Sequence, residues 1–203
     1  MRIAVEDYVK VIYAHTEWQP DPITSGTLAA RLGLAASSVT EMIKKLVAQG
    51  LVRHEPYGAI ELTRDGTALA LRQVRRHRLI ETWLVQRMGY SWDEVHDEAE
   101  VLEHSMSERL LEAIDEQLGR PARDPHGDPI PAADGAIDRP DAVTLAVASG
   151  GGRIVRISDR DPVLLRHLEA EGLVVDALVT PEQRDALARE ALESIWVRAG
   201  STH

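Results

Sequence analysis

The residues with most chemical promise lie in the segment VHDEAEVLEHSM, where His96, Glu100, Glu103 and His104 recur at spacings of four, three and one. At about 100° per residue they fall within one arc of roughly a third of a helix. Val95, Ala99, Leu102 and Met106 form an apolar stripe beside that arc. A preceding helical segment offers His77 and Glu81, four apart and therefore on one face. The chain has no cysteine, so thiolate sites, disulfides and thiol nucleophiles are excluded. Carboxylates converging with imidazoles suit a hard or borderline divalent ion such as Mn(II), Fe(II) or Co(II), and zinc or copper would also bind tightly. For any one of these residues a solvated surface role is the plainer reading. It is the four-residue stripe as a group that points to metal.

Those side chains need elements to hold them. Ile3, Val5, Val9, Ile12 and Tyr13 predict a first helix, ending before Pro20 and Pro22. Thr24 or Ser25 caps a short second helix, and Gly33 supplies a sharp turn. A third helix starts at Ser37 or Ser38, turns Val39, Met42, Ile43, Leu46 and Val47 inward, and stops at Gly50. LVRHEPYGAIELT reads as two strands around a Pro56–Tyr57–Gly58 turn. Thr63 caps a long helix that Gly89 ends. Ser91 and Glu94 read as a capping box for the helix bearing the metal stripe, and SERLLEAIDEQL as a further helix ending at Gly119.

Residues 120–142 hold five prolines and two glycines and read as a loop and domain boundary. Beyond it VTLAVAS, GGRIVRISD and VVDALV read as strands, DPVLLRHLEAEGL as a helix and PEQRDALAREALESIW as helical. The fold class is mainly α. A winged helix-turn-helix over 1–64 precedes a helical domain bearing the metal stripe over 65–140 and a small β-containing domain over 141–203.

Two short helices, a glycine turn, a third helix and a hairpin make a winged helix-turn-helix, whose third helix must present a free face to the major groove. Ser37, Ser38, Thr40, Glu41, Lys44 and Lys45 lie outside its apolar stripe, and Arg53, His54 and Tyr57 sit on the wing. Hydroxyls can reach phosphates or base edges, lysines neutralise phosphates, and Glu41 either accepts from a cytosine or repels the backbone. The net charge of −10 conceals an asymmetry. Residues 1–80 carry 11 Lys and Arg against 8 Asp and Glu, whereas residues 81–203 carry 12 against 25. The basic end suits a polyanion. No apolar run approaches the roughly 18 residues needed to span a bilayer, and the N-terminus lacks the apolar core of a signal peptide, which predicts a cytoplasmic protein with no membrane partner.

VEDYVKVIY, LAARLGLAASSVTEMIKKLVAQGLV, RRHRLIETWL and VHDEAEVLEH, in this order and spacing, resemble the DtxR/MntR family of bacterial metal-dependent transcriptional repressors; PHGDPIP resembles the segment before that family's third domain. The resemblance is strong over residues 1 to about 140 and weak beyond. It implies a homodimer of winged-helix domains on a helical dimerisation domain, with a small Src-homology-like barrel, binding a palindromic operator in double-stranded DNA.

It also implies a primary metal site of Asp7, Glu100, Glu103 and His104. Asp7 and Glu100 stand where iron-type members have methionine and cysteine, so the resemblance favours Mn(II), with Fe(II) the alternative and Co(II), Cd(II) or Zn(II) as substitutes in vitro. For a second site it implies either His77, Glu81 and His96, or Glu81 with Asp124, His126 and an acid from the barrel, Asp159 or Asp161. Lys10 stands where two-domain manganese sensors place a second ligating glutamate, and the barrel reads as ending early after VVDALV.

Two other functions fit parts of the pattern. A metallohydrolase could use a metal-bound water with a glutamate base, but no phosphate loop or nucleophile motif accompanies the cluster. A winged-helix regulator answering to a small organic effector would bind DNA equally well with a chelator present.

Overall fold

The computed structural model describes residues 2–19, 21–55 and 58–198, with side chains from Val5 onward. Its two compact units are residues 1–75 with 131–135, and residues 76–130 with the remainder from 136.

The first unit begins with α1 (Arg2–Thr16), α2 (Ser25–Leu32) and α3 (Ala36–Ala48). Thr24 caps α2, its Oγ1 accepting from the Thr27 amide at 3.1 Å, and Gly33 ends it at φ +63°. α3 starts at Ala36, one residue before Ser37 and two before Ser38. Ala35 is the extended residue at its N-cap, with no side-chain cap, so Ser37 and Ser38 lie inside the first turn. Strands β1 (Val52–His54) and β2 (Ile60–Leu62) pair antiparallel, Val52 opposite Leu62 and His54 opposite Ile60. The turn between them, with Pro56 and Tyr57, lies outside the described residues.

One core joins these elements: Tyr8, Val9 and Ile12 of α1, Val39, Ile43 and Leu46 of α3, and Val52 and Ile60 of the wing. Burying each Val, Leu or Ile is worth about 1.5–3 kcal/mol, so α3 is fixed through its apolar face and its opposite face stays available. Helix α4 (Arg64–Trp83) adds Ala70 and Val74 to this core, and Thr63 caps it by accepting from the Gly66 amide at 3.1 Å. The division between units falls within α4.

In the second unit α4 passes into one π-helical turn over Leu84–Met88, closed by Gly89 at φ +78°. α5 (Val95–Glu103) then packs Val95 and Ala99 against Ile80 and Leu84. The capping box predicted at Ser91 does not form. The Ser91 hydroxyl donates to the Glu94 carboxylate at 2.7 Å instead of accepting from an amide, and α5 starts only at Val95. α6 (Glu108–Gln117), capped by Ser107, buries Leu111 beside Leu79 and Ile130.

The proline-rich loop is a built strap. Asp124 N donates to Asp128 O at 3.0 Å and Ile130 N to Ala122 O at 2.9 Å, so residues 122–130 fold on themselves. Ile157 N then donates to His126 O at 2.9 Å, tying the strap to a strand. Gly127 makes the approach possible. It sits at φ +89°, and a Cβ there would lie 2.0 Å from the Val155 carbonyl oxygen. Gly127→Ala should therefore push the strap off that strand and lower the melting temperature by several degrees; unchanged melting would remove this contact from the fold's requirements.

The remaining elements are β3 (Ala142–Thr144), β4 (Gly152–Ile157), α7 (Pro162–Ala170), β5 (Leu178–Val179), α8 (Pro181–Ala186), α9 (Arg189–Ser194) and β6 (Ile195–Arg198). They form an antiparallel sheet in the order β3-β6-β4-β5 over a core of Leu145, Ile154, Ile157, Leu165, Leu168 and Ile195.

Three expectations are corrected here. VTLAVAS is strand only as far as Thr144, because the amides of Val147 and Ala148 turn back onto the Thr144 carbonyl. VVDALV is strand only at its end, since Asp176 adopts φ +72° and Ala177 N closes a turn onto Val174 O. The predicted terminal helix is broken at Leu187 and Ala188, both extended, and gives way to β6, whose alternating burial places Ile195 and Val197 inward. That strand pairs antiparallel with both β3 and β4. No helix among the described residues is long and apolar enough to cross a membrane.

Candidate metal centre and nucleic-acid face

Helix α5 and its cap carry Glu100, Glu103 and His104, and one donor atom from each lies within 4.8 Å of the other two. Glu103 is only 2% exposed, while Glu100 and His104 are half-buried. The end of α5 is held by Arg76, which donates to the carbonyl of Glu103 at 3.3 Å and also to the Met106 carbonyl and the Glu108 carboxylate. Nothing in the sequence marked Arg76 for this task. Asp7 belongs to the first unit, half-buried on α1 beside the core residues Tyr8 and Val9. Lys10, on the same helix, is buried.

His77 of α4 stands between two carboxylates. Its Nδ1 is 2.7 Å from Glu103 Oε2 and its Nε2 is 3.0 Å from Glu81 Oε1. The His96 ring meets it edge-on at 4.8 Å between centroids, and His96 Nδ1 is 3.3 Å from Glu81 Oε1 and 3.6 Å from Asp159 Oδ2. His77, His96 and Glu100 make one group of donors, and Glu81, His96 and Asp159 another. Burial alone would raise the Glu81 carboxyl, but the charge and hydrogen bond of His77, with a hydrogen bond from His96, hold it well below the usual carboxylate range.

A third group, Glu81, Asp124 and His126, is buried throughout, with donor atoms again within 4.8 Å of one another. Asp124 Oδ1 accepts from the amides of His126 and Asp128, both at 2.9 Å. His126 is fully buried; its Nε2 lies 2.7 Å from the Trp92 carbonyl, to which it donates, and its ring stacks on Trp92 at 5.7 Å. The other nitrogen, Nδ1, is buried with no hydrogen-bond partner. Burial, then the neighbouring charge of Asp128, push the Asp124 carboxyl up to about 8. Burial lowers the His126 imidazole, but the charges of Asp124, Glu81 and Asp159 more than reverse this. The pocket therefore draws positive charge to itself. Asp161 is not brought into these groups: its Oδ1 caps α7, accepting from Val163 N and Leu164 N at 2.9 and 3.1 Å.

Beside this pocket, Asp128 accepts from Arg156 Nε at 2.7 Å and Arg78 Nη2 at 3.3 Å, while Arg78 also donates to the Pro129 carbonyl at 2.6 Å. All three charged residues are buried. An acid between Gly127 and Pro129 in a loop-like segment carries no signal of such a partner in sequence.

On the first unit, Ser37, Ser38, Thr40, Glu41, Lys44 and Lys45 are all exposed on α3, and Arg53 is exposed on β1. Thr40 Oγ1 donates to the Ala36 carbonyl at 2.9 Å, and Lys44 pairs with Glu41 at 2.9 Å, which holds the Glu41 carboxyl below its ordinary value. Arg53 lies 3.7 Å from Glu61 across the wing. Tyr57 lies outside the described residues.

A helix-turn-helix with a two-stranded wing, followed by helices that gather carboxylates and imidazoles, defines a DNA-binding protein with a metal-binding domain. Comparison with known proteins agrees. Residues 3–60 match the iron dependent repressor N-terminal DNA binding domain, and residues 63–132 the iron dependent repressor metal binding and dimerisation domain. The iron-dependent repressor IdeR of Mycobacterium tuberculosis is 31% identical over 191 residues, covering 87% of this chain and 83% of the relative. The diphtheria toxin repressor of Corynebacterium efficiens is 33% identical over 156 residues, covering 75% of this chain and 67% of the relative. Among solved structures, a manganese-dependent transcriptional repressor in complex with manganese superposes with a TM-score of 0.91 at 44% identity, over 97% of this chain and 100% of that one. ScaR with bound zinc superposes with a TM-score of 0.82 at 32% identity, over 97% and 99%. The chain belongs to the iron-dependent repressor family of metal-dependent transcriptional repressors.

Proposed function

We propose that this chain is a manganese-responsive repressor of metal-homeostasis genes, acting in the cytoplasm as a homodimer on a palindromic operator, without catalysing a reaction. Residues 1–64 would read DNA, residues 65–140 dimerise and hold metal, and residues 141–203 form the small C-terminal domain. The observation that carries the metal reading is the convergence of Glu100, Glu103 and His104 at the end of α5, with Glu103 almost wholly buried. These donors, with Asp7, contain no sulfur and suit Mn(II), and likeness to a manganese-dependent repressor supports the same ion. Fe(II) is the alternative, favoured by the iron-dependent relatives. Glu81 with His77 and His96, or with Asp124, His126 and Asp159, would supply the second site.

When bound, the ion supplies two positive charges among carboxylates that otherwise repel one another. Asp7 is carried by α1, which shares its core with the recognition helix α3. A restraint on Asp7 is therefore a restraint on α3. In a dimer, two recognition helices held at one separation fit half-sites related by the same twofold axis. Ser37, Ser38, Thr40, Glu41, Lys44, Lys45, Arg53 and Tyr57 would meet the DNA.

Fluorescence anisotropy of metal-stripped protein on DNA upstream of a metal-transporter gene, at fixed salt, tests this. Binding with manganese that a chelator abolishes is expected. A stronger response to anaerobic ferrous iron would overturn the choice of metal, and binding indifferent to chelator would overturn metal control. Lys44→Ala should weaken binding to all DNA alike and flatten the salt dependence by about one unit in log–log slope. An unaltered slope would remove Lys44 from the phosphate contacts and leave it as the partner of Glu41.

A further inference from the structure

We infer that Arg76 is a positioning residue for the proposed metal donors of α5, fixing Glu103 and His104 before an ion arrives. The inference rests on the metal reading of Glu100, Glu103 and His104 and deepens it by naming what holds those donors in place.

The donors sit at a helix end that needs outside support. Glu103 is the last residue of α5 and His104 its C-cap. The last carbonyls of a helix have no partner within it, and such ends fray. α2 closes on Gly33 at φ +63°. α5 has no such residue: His104 stays at φ −80°, and no glycine occurs between it and Ser107. The amides of Ser105 and Met106 both turn back to the Leu102 carbonyl, at 3.0 and 3.1 Å. The Glu103 carbonyl goes instead to Arg76, a residue of α4.

Arg76 spans the whole corner. Its Nη1 donates to the carbonyls of Glu103 and Met106, and its Nη2 to the carboxylate of Glu108. One planar guanidinium therefore ties the end of α5 to the start of α6. The Arg76 side chain is only 12% exposed, so water competes little for these bonds. The next residue of α4, His77, meets the Glu103 side chain, with Nδ1 2.7 Å from Oε2. α4 thus holds Glu103 by its backbone and by its side chain. Donors fixed in advance spare an ion the cost of ordering them.

Charge and geometry lead to opposite results here. A guanidinium acting only as a nearby charge would repel a second cation, and removing it would tighten the ion. A guanidinium that holds the donors must weaken the ion when it is removed. Lysine keeps the charge and its favourable place at a helix C-terminus, but cannot reproduce the fork.

The test compares metal-stripped full chains of wild type, Arg76→Gln, Arg76→Lys, Glu103→Ala and the double variant Arg76→Gln/Glu103→Ala. Mn(II) affinity is titrated against a chelating indicator, and Co(II) absorption reports the donor geometry. Both Arg76 variants are expected to weaken the ion that Glu103→Ala removes by about 10–100-fold, and to alter its cobalt spectrum. In the Glu103→Ala background, Arg76→Gln should cause no further loss.

Unchanged or tighter Mn(II) binding in either folded Arg76 variant overturns the inference, as does an equal loss in the Glu103→Ala background. Should both Arg76 variants fail to fold, Glu108→Asp decides. Glu108 is exposed, and aspartate keeps its charge while withdrawing the anchor of Nη2. A weaker ion in that variant supports the inference and an unchanged one overturns it. Equal ion binding by wild type and Glu103→Ala would overturn the metal reading and this inference together. Loss at Glu103→Ala with wild-type affinity in the Arg76 variants would overturn this inference alone.

Discussion

Glu103→Ala is expected to yield a folded dimer whose affinity for operator DNA no longer responds to manganese. Glu103 has the most to lose because it is the buried member of the α5 group, and its two oxygens serve different partners. Oε2 meets His77 Nδ1 at 2.7 Å and Oε1 lies 3.6 Å from His104 Nε2. Removing it takes a donor from the proposed primary site and a partner from His77. An allosteric coupling of about 1–3 kcal/mol corresponds to roughly 5–150-fold in DNA affinity, and that whole factor should vanish. By reciprocity, DNA should tighten manganese binding to wild type by the same factor and to the variant not at all. Anisotropy titrations with manganese and with chelator, repeated on Glu103→Gln to control for lost packing, would decide it. A metal response surviving in both variants would sink the proposal that α5 holds the controlling ion.

Asp128→Ala should be the most destabilising single change on the strap. The carboxylate stands between two buried guanidiniums, those of Arg78 and Arg156. Deleting it leaves positive charge facing positive charge out of reach of bulk water. Breaking a buried ion pair by removing one partner costs about 3–5 kcal/mol. For a chain of this size each kcal/mol moves the melting temperature by about 2–4 °C, so a fall of roughly 6–20 °C is expected. Arg156 also lies 4.3 Å over the ring of Trp196 on β6, which carries the loss into the sheet. A melting curve displaced by less than about 3 °C would show that solvent reaches the two arginines and screens them.

The first unit was legible because its signals are local. Thr24, Gly33, Gly50 and Thr63 mark ends through their own backbone chemistry, and Val39, Ile43 and Leu46 announce a face by spacing alone. The α5 donors were legible for the same reason, since four residues on one arc of one helix need no tertiary information. Ser91 shows the limit of this reasoning: its motif was present, but a side-chain acceptor three residues away captured the hydroxyl. The C-terminal sheet was poorly legible because its strands are two to six residues long and take their pairing from distant segments. Ile195, Trp196 and Val197 have strand-forming side chains, yet they follow a helical run and resemble its continuation. Asp128, Arg78 and Arg156 were invisible as a group, because charge pairing across 28 and 50 residues leaves no periodic trace.

The order of strands in that sheet sets a timetable. β6 lies between β3 and β4, both of which precede it by about 40 residues or more. During synthesis β3 must wait with no strand partner and β4 with β5 alone, each with an open edge, until Ile195–Arg198 arrives to join them. The helix-turn-helix closes its core with residues no later than Val74 and has no such wait. A nascent chain would thus possess its DNA-reading surface long before its sheet is sealed, and a protease that clips ahead of Ile195 would separate those two events permanently.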